Sequence, residues 1–351
     1  MTARPPGFTA QDYRAPHWLP DGHSQTIYPA LFGRRPHVEF RREIWDTPDG
    51  DVIDVDWTVA PPSSTPGASA PSGHASASDV AAALEAPLVV LFHGLEGSSG
   101  SHYARALMHA VTARGWRGVI PHFRGCGGTP NRAPRFYHSG DSAEADWVLR
   151  RLRAQTAGPI LAAGVSLGGN VLLRWLGEHR EDAASVVSAA CAVSAPVDLR
   201  AGGRALSRGF NMIYTRNFLA TLKRKSLAKL DQFPDLFDRK AMLAARDLRD
   251  FDDVVTAPLH GFDDAVDYYT RASSKPILPA IAVPTLMLNA RNDPFMPAGA
   301  LPGPRDVGRH ITLLQPRHGG HVGFMTAPFP GGMTWMPHTV LDYFASFLHH
   351  G

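Results

Sequence analysis

The chain has little cysteine, no long apolar run and no block of like charge, and each shortage excludes something. Cys126 and Cys191 are the only cysteines, far apart and outside any C-x-x-C spacing. That excludes a disulfide framework and a cysteine-built zinc site, and it fits a reducing, cytoplasmic setting. No stretch approaches the roughly 18 uninterrupted apolar residues of a membrane span, so stable membrane insertion is not expected. The opening residues Met1–Gly7 lack the apolar segment of a signal peptide. Net charge is only +3. The one short basic run, Lys223-Arg224-Lys225, reads as a solvated helix face, so no nucleic-acid partner is expected. The histidines are scattered and suggest no metal.

What is present is enough apolar sequence for a large core and a strand–helix rhythm. Residues 1–40 show no clear period and read as an extended arm over the core. Val38–Trp45 and Asp51–Val59 alternate polar and apolar about the turn Thr47-Pro48-Asp49-Gly50, which predicts a β-hairpin. Residues 60–86 are rich in Ala, Pro, Ser and Gly and read as a flexible surface loop. Pro87–Phe92, Gly118–Phe123, Pro159–Ala162, Ala189–Ser194, Pro284–Asn289 and 310–314 read as strands. Helices are expected over 102–114, Ser142–Arg153 (capped by Asp141 or Ser142), from Val171 onward, and over 334–349. Alternation of this kind predicts right-handed βαβ units and a mostly parallel sheet flanked by helices. Residues 197–275 interrupt the rhythm and read as a helical cap inserted over the sheet. The expected organisation is therefore one domain: arm 1–37, core 38–196 and 276–351, cap 197–275.

The chemistry concentrates in Ala163-Gly164-Val165-Ser166-Leu167-Gly168-Gly169-Asn170. It follows an apolar strand and precedes a helix, the context of a nucleophile elbow. A serine hydroxyl needs a base to take its proton and an acid to hold that base's tautomer. In elbow proteins these follow in the order Ser, acid, His. Asp293, after the strand Leu286–Asn289, is the expected acid, although an Asp before Pro294 also suits a plain turn. His321 is the expected base, with His318 as its competitor; His321 follows the flexible Gly319-Gly320 pair. An oxyanion needs N–H donors, expected from Leu167 and from Leu95 in the loop His93–Ser99. His93 itself reads as shaping that turn. Arg124-Gly125-Cys126-Gly127-Gly128 lacks Walker spacing and reads as a tight turn; nothing marks Cys126 as activated, and Cys191 reads as core. The aromatics from Phe210 to Phe218 suit either an acyl-site wall or ordinary helix packing.

With these residues in place the chain resembles the α/β-hydrolase superfamily, specifically the YheT-like group that includes the ABHD1/ABHD3-type hydrolases. The resemblance covers nearly the whole chain. It is carried by Asp21-Gly22-His23-Ser24-Gln25-Thr26, His93–Ser99, His122–Gly128, Tyr137-His138-Ser139-Gly140, Gly164–Asn170, Phe251-Asp252-Asp253 and His318–Phe324. It departs from the family at residues 60–86, a longer insertion than usual. It implies an α/β-hydrolase fold, with the family's serine, acid and histidine on Ser166, Asp293 and His321. It further implies hydrolysis of small carboxylic esters, lipid-like or short-chain, with no cofactor and no metal. An acyltransferase using the same residues and a non-catalytic ligand-binding protein are the rival readings.

Overall fold

The computed structural model describes residues 8–59 and 85–348. Among these residues, eight strands form a single sheet: β1 (Phe40–Asp46), β2 (Val52–Thr58), β3 (Leu88–Phe92), β4 (Arg117–Pro121), β5 (Ile160–Val165), β6 (Ala189–Val193), β7 (Thr285–Leu288) and β8 (Ile311–Leu314). Their spatial order is β1-β2-β4-β3-β5-β6-β7-β8. β1 and β2 form the expected antiparallel hairpin, β2 joins β4 antiparallel, and every other pairing is parallel. This is an α/β-hydrolase fold. The flexible-loop expectation for 60–86 falls mainly on residues outside the described ones.

The continuous apolar runs are explained by burial on both faces. Along β3, Leu88, Val90 and Phe92 enter one core, and Val89 and Leu91 enter the other. β5 divides in the same way, Ile160 and Ala162 against Leu161, Ala163 and Val165. Helices α2 (His102–Ala113) and α9 (Trp335–Ala345) cover the second face; α3 (Ser142–Ala154) and α4 (Leu167–His179) cover the first. Each fully buried aliphatic side chain contributes about 1.5–3 kcal/mol, so the sheet is a stiff platform. Asp141 does precede α3, but its carboxylate accepts from Arg135 at 2.6 Å and makes no cap hydrogen bond.

Between β6 and β7 run α5 (Leu199–Leu206), α6 (Met212–Gln232), α7 (Arg239–Ala244) and α8 (Ala265–Ala272). Before α8, Asp252–Thr256 forms one wide π turn. This segment has small apolar cores of its own: Leu199 with Tyr268 and Tyr269, and Leu219 with Met242 and Phe251.

Two expectations need correction. The N-terminal segment is not all extended, because Gly22–Phe32 forms helix α1. Asp21 caps it, accepting from the N–H groups of His23 and Ser24 at 2.8 and 3.0 Å, and Ser24 Oγ accepts from the Asp21 N–H. This reciprocal cap offsets the weak helix-forming content and the internal Pro29. The last helix stops at Ala345, short of residue 349. The rest of the arm does lie on the core: Phe8 packs edge-on to Tyr343, and Tyr13 on Phe324.

Candidate active site

Ser166 sits between β5 and α4 with φ 52°, ψ −121°. A non-glycine residue there is strained, and only the surrounding packing holds it. The neighbouring glycines show why. A Cβ on Gly164 would lie 2.5 Å from the Gly168 carbonyl oxygen, and one on Gly168 would lie 2.5 Å from that of His93. No side chain fits between strand and helix at this reversal. The Ser166 N–H donates to the Val193 carbonyl at 2.8 Å, which pins the turn to β6. Asn170 donates to the Ser139 and Ala272 carbonyls at 2.7 and 2.8 Å and accepts from the Ser274 N–H, tying α4 to the end of the helical segment.

The structure brings Ser166, His321 and Asp293 together. His321 Nε2 is 3.0 Å from Ser166 Oγ, and His321 Nδ1 is 2.9 Å from Asp293 Oδ2. A carboxylate facing Nδ1 makes that nitrogen the donor and leaves Nε2 to accept the hydroxyl proton. Asp293 is buried, and its other oxygen accepts from the Phe295 N–H at 2.8 Å. The Phe295 ring stacks on the imidazole at 4.0 Å, fixing the plane of that ring. His318 is exposed and takes no part.

The backbone donors are also specific. In the loop after β3, the Gly94 N–H donates to Tyr103 Oη, the Glu96 N–H to Tyr137 Oη and the Gly97 N–H to the Gly94 carbonyl. The Leu95 N–H makes no hydrogen bond among the described residues. Leu167 opens α4, so its N–H is one of those a helix leaves without an internal acceptor. Leu95, Leu167, Ser166 and His321 all line one cavity.

His93 is fully buried. Its Nδ1 donates to the Gly94 carbonyl at 2.8 Å, and its Nε2 accepts from the Phe123 N–H at 3.1 Å. Burial pushes its pKa down to about 3, so it stays neutral and shapes the turn. Arg124 is engaged in structure: it reaches Asp51 and Asp49 at 2.8 Å and Glu144 at 2.5 Å, locking the β1–β2 turn to α3. Burial raises the Cys126 thiol to about 11, which leaves it unreactive as a nucleophile.

Sequence reasoning missed the groups that place His321. Thr26 Oγ1 accepts from the His321 N–H at 2.8 Å and donates to the Gly22 carbonyl at 2.6 Å. Gln25, fully buried, accepts from the Gly319 N–H at 2.7 Å and from Asn292 at 2.9 Å. Asn292 in turn accepts from the Gly320 N–H at 3.1 Å. Thus α1 holds the loop that carries the histidine. The Asp21-x-x-Ser24 capping pattern is the signal that would have revealed this helix.

The cavity measures about 140 Å³ and is largely apolar, walled by residues such as Phe136, Leu206, Phe218, Leu222, Phe251 and Phe295. Phe218 therefore faces it. Phe210 does not: it is mostly exposed and packs on His23. Asp252 also reaches the wall, accepting from Thr256 Oγ1 at 2.6 Å and Tyr269 Oη at 2.7 Å, and burial raises its pKa to about 7.

The family described as alpha/beta hydrolase fold matches residues 87–328. The chain is 37% identical over 329 residues to "Putative esterase YheT" of Escherichia coli (strain K12), covering 93% of this chain and 91% of that one. It is 29% identical to phospholipase ABHD3 of Mus musculus over 95% of this chain and 78% of the relative. Among solved structures, the Pyrococcus furiosus esterase Pf2001 superposes with a TM-score of 0.53 at 14% identity, over 89% of this chain and 94% of that one. Est1E of Butyrivibrio proteoclasticus, solved with ferulic acid, gives 0.52 at 12% identity, over 87% and 99%. At such low identity these two show the fold alone.

Proposed function

This chain belongs to the α/β-hydrolase family, within it to the YheT-like group, and from that premise we propose that it hydrolyses carboxylic esters through Ser166, His321 and Asp293. The observation that carries the proposal is the pair of contacts at His321: Nε2 at 3.0 Å from Ser166 Oγ and Nδ1 at 2.9 Å from Asp293. As Ser166 Oγ attacks the ester carbonyl, His321 Nε2 takes its proton. Asp293 stabilises the imidazolium and keeps the ring in place. The Leu95 and Leu167 N–H groups receive the oxyanion. Collapse expels the alcohol, which takes the proton from His321 and leaves an acyl-serine. Water then attacks that carbonyl, giving its proton to His321, and the acid leaves as Ser166 is reprotonated.

The apolar cavity suits an aliphatic or aromatic acyl group, and the names of the relatives, esterase and phospholipase, agree with an ester substrate of lipid-like character. We read residues 197–275 as a cap that excludes water from this chamber. The test is turnover of p-nitrophenyl esters of increasing acyl length by the purified protein and by Ser166→Ala. We expect a chain-length optimum in the wild type and a loss of about 10⁴-fold or more in the variant. Wild-type turnover by folded Ser166→Ala would overturn the assignment.

A further inference from the structure

Away from the cavity, the surface carries a continuous apolar ledge. Leu31 and Phe32, at the end of α1, are each 68% exposed, and Phe329 is 70% exposed. Trp18 and Tyr28 join them into one row. Ring centroids are 5.3 Å apart for Phe329 and Trp18, 4.7 Å for Trp18 and Tyr28, and 5.6 Å for Tyr28 and Phe32. Tyr28 Oη donates to the Pro330 carbonyl at 3.1 Å, fastening the helix to the 327–330 turn, whose residues Ala327, Pro328, Phe329 and Pro330 are all exposed. Single exposed apolar side chains are ordinary, but an unbroken row of this kind marks a contact surface.

A basic groove of about 760 Å³ adjoins the ledge, lined by Arg34, Arg35, His109, Arg114 and His338, with no Asp or Glu in its wall among the described residues. The two meet at Gly331, where a Cβ would lie 3.0 Å from the Trp18 ring. Arg114 is paired with Asp342, whereas Arg34 and Arg35 make no ion pair among the described residues. The sequence carries the same bias. Neither Gly22–Val38 nor Val307–Leu341 contains a single Asp or Glu.

We propose that the ledge and groove dock this protein onto a bilayer surface containing anionic phospholipid. Leu31, Phe32 and Phe329 enter the boundary between headgroups and acyl chains, and Arg34 and Arg35 engage lipid phosphates. Aromatic side chains favour that boundary. Apolar insertion and basic attraction to anionic lipid add to give reversible peripheral binding. No helix among the described residues is long and apolar enough to cross a membrane. A second copy of the chain is the poorer occupant, since a two-fold contact through this patch would set Arg34 and Arg35 against their own kind. Thr26, which accepts from the His321 N–H, lies five to six residues before Leu31 and Phe32, about 8–9 Å along the same helix, so one helix joins the docked face to the His321 loop.

The experiment is co-sedimentation of the full chain with phosphatidylcholine vesicles, with and without phosphatidylglycerol, at low and high salt. Wild-type protein should pellet with the anionic vesicles and less so at high salt. Phe32→Ser/Phe329→Ser and Arg34→Glu/Arg35→Glu should each weaken partitioning by about tenfold or more. Both should keep the wild-type thermal midpoint and turnover of a water-soluble short-chain ester. Failure of the wild type to bind, or full binding by both variants, overturns the proposal. So does a wild-type dimer that the variants dissociate, which would make the ledge a self-contact. Absence of any ester turnover would count against the hydrolase reading alone and leave the vesicle result standing.

Discussion

The two halves of the site are held by different means. Ser166 is placed by close sterics: two glycines of its own motif permit a strand-to-helix reversal with no room for a Cβ against each other or against the end of β3, and β6 accepts its N–H. His321 is placed by long-range hydrogen bonds: Thr26 accepts from the His321 N–H and Gln25 from the Gly319 N–H, across 295 and 294 residues of sequence. The geometry of the proposed nucleophile thus comes from one short motif fitted against neighbouring strands, whereas that of the proposed base depends on the N-terminal segment docking correctly.

Three substitutions test this contrast, from the largest effect down. Gly168→Ala puts a methyl against the Phe92 and His93 carbonyls, which cannot move without shifting β3. We expect a loss above about 4 kcal/mol in chemical unfolding, or failure to fold, because backbone clashes of this kind lie in the extreme tail of single substitutions. A stable, active variant would mean that the elbow is not sterically fixed.

Next is Thr26→Ala, which leaves the fold but frees the His321 N–H from its acceptor. Misplacing a base by about 1 Å costs on the order of 100-fold, so kcat should fall about 10- to 100-fold. Thr26→Ser keeps the hydroxyl and should restore most of it. A loss that appears only in KM, or equal behaviour of the two variants, would show that α1 does not position the base.

The smallest effect concerns a carboxyl that lines the cavity with no basic ion-pair partner among the described residues. Burial raises the Asp252 pKa from its ordinary range to about 7. The folded state then holds this proton more tightly than the unfolded state, so stability declines as pH rises from about 4 to about 7 and the cost is complete above it. Asp252→Asn should therefore be more stable than wild type at pH 8, by about 1–3 kcal/mol, with the gap closing as pH falls to 4. A pH-independent gap in thermal or urea unfolding would contradict this.

The same contrast explains what was legible in the sequence. The buried strands, the hairpin turn and the elbow announce themselves through local pattern, and the sheet follows from strand–helix alternation. Helix α1 did not, because Pro29 and the mixed polarity of Gly22–Phe32 hide its period, and its purpose lies in bonds to residues near 320. The aromatics between Phe210 and Phe218 were ambiguous for another reason. Which one faces a cavity is set by tertiary packing: on α6, Tyr214 contacts the Phe295 and His23 rings and Phe218 faces inward, while Phe210, in the turn before α6, lies outward on His23. Asp293 and His321 could be named from chain order and loop position. The stacking of Phe295 on the imidazole has no local signature.

Mass-spectrometric mapping of the adduct left by a fluorophosphonate on the folded protein decides whether Ser166 is the nucleophile. The account predicts a single modified peptide carrying Ser166, with labelling slowed strongly in His321→Ala because Nε2, 3.0 Å from Oγ, no longer takes the proton. An adduct on another residue, or no adduct on folded protein, would contradict it.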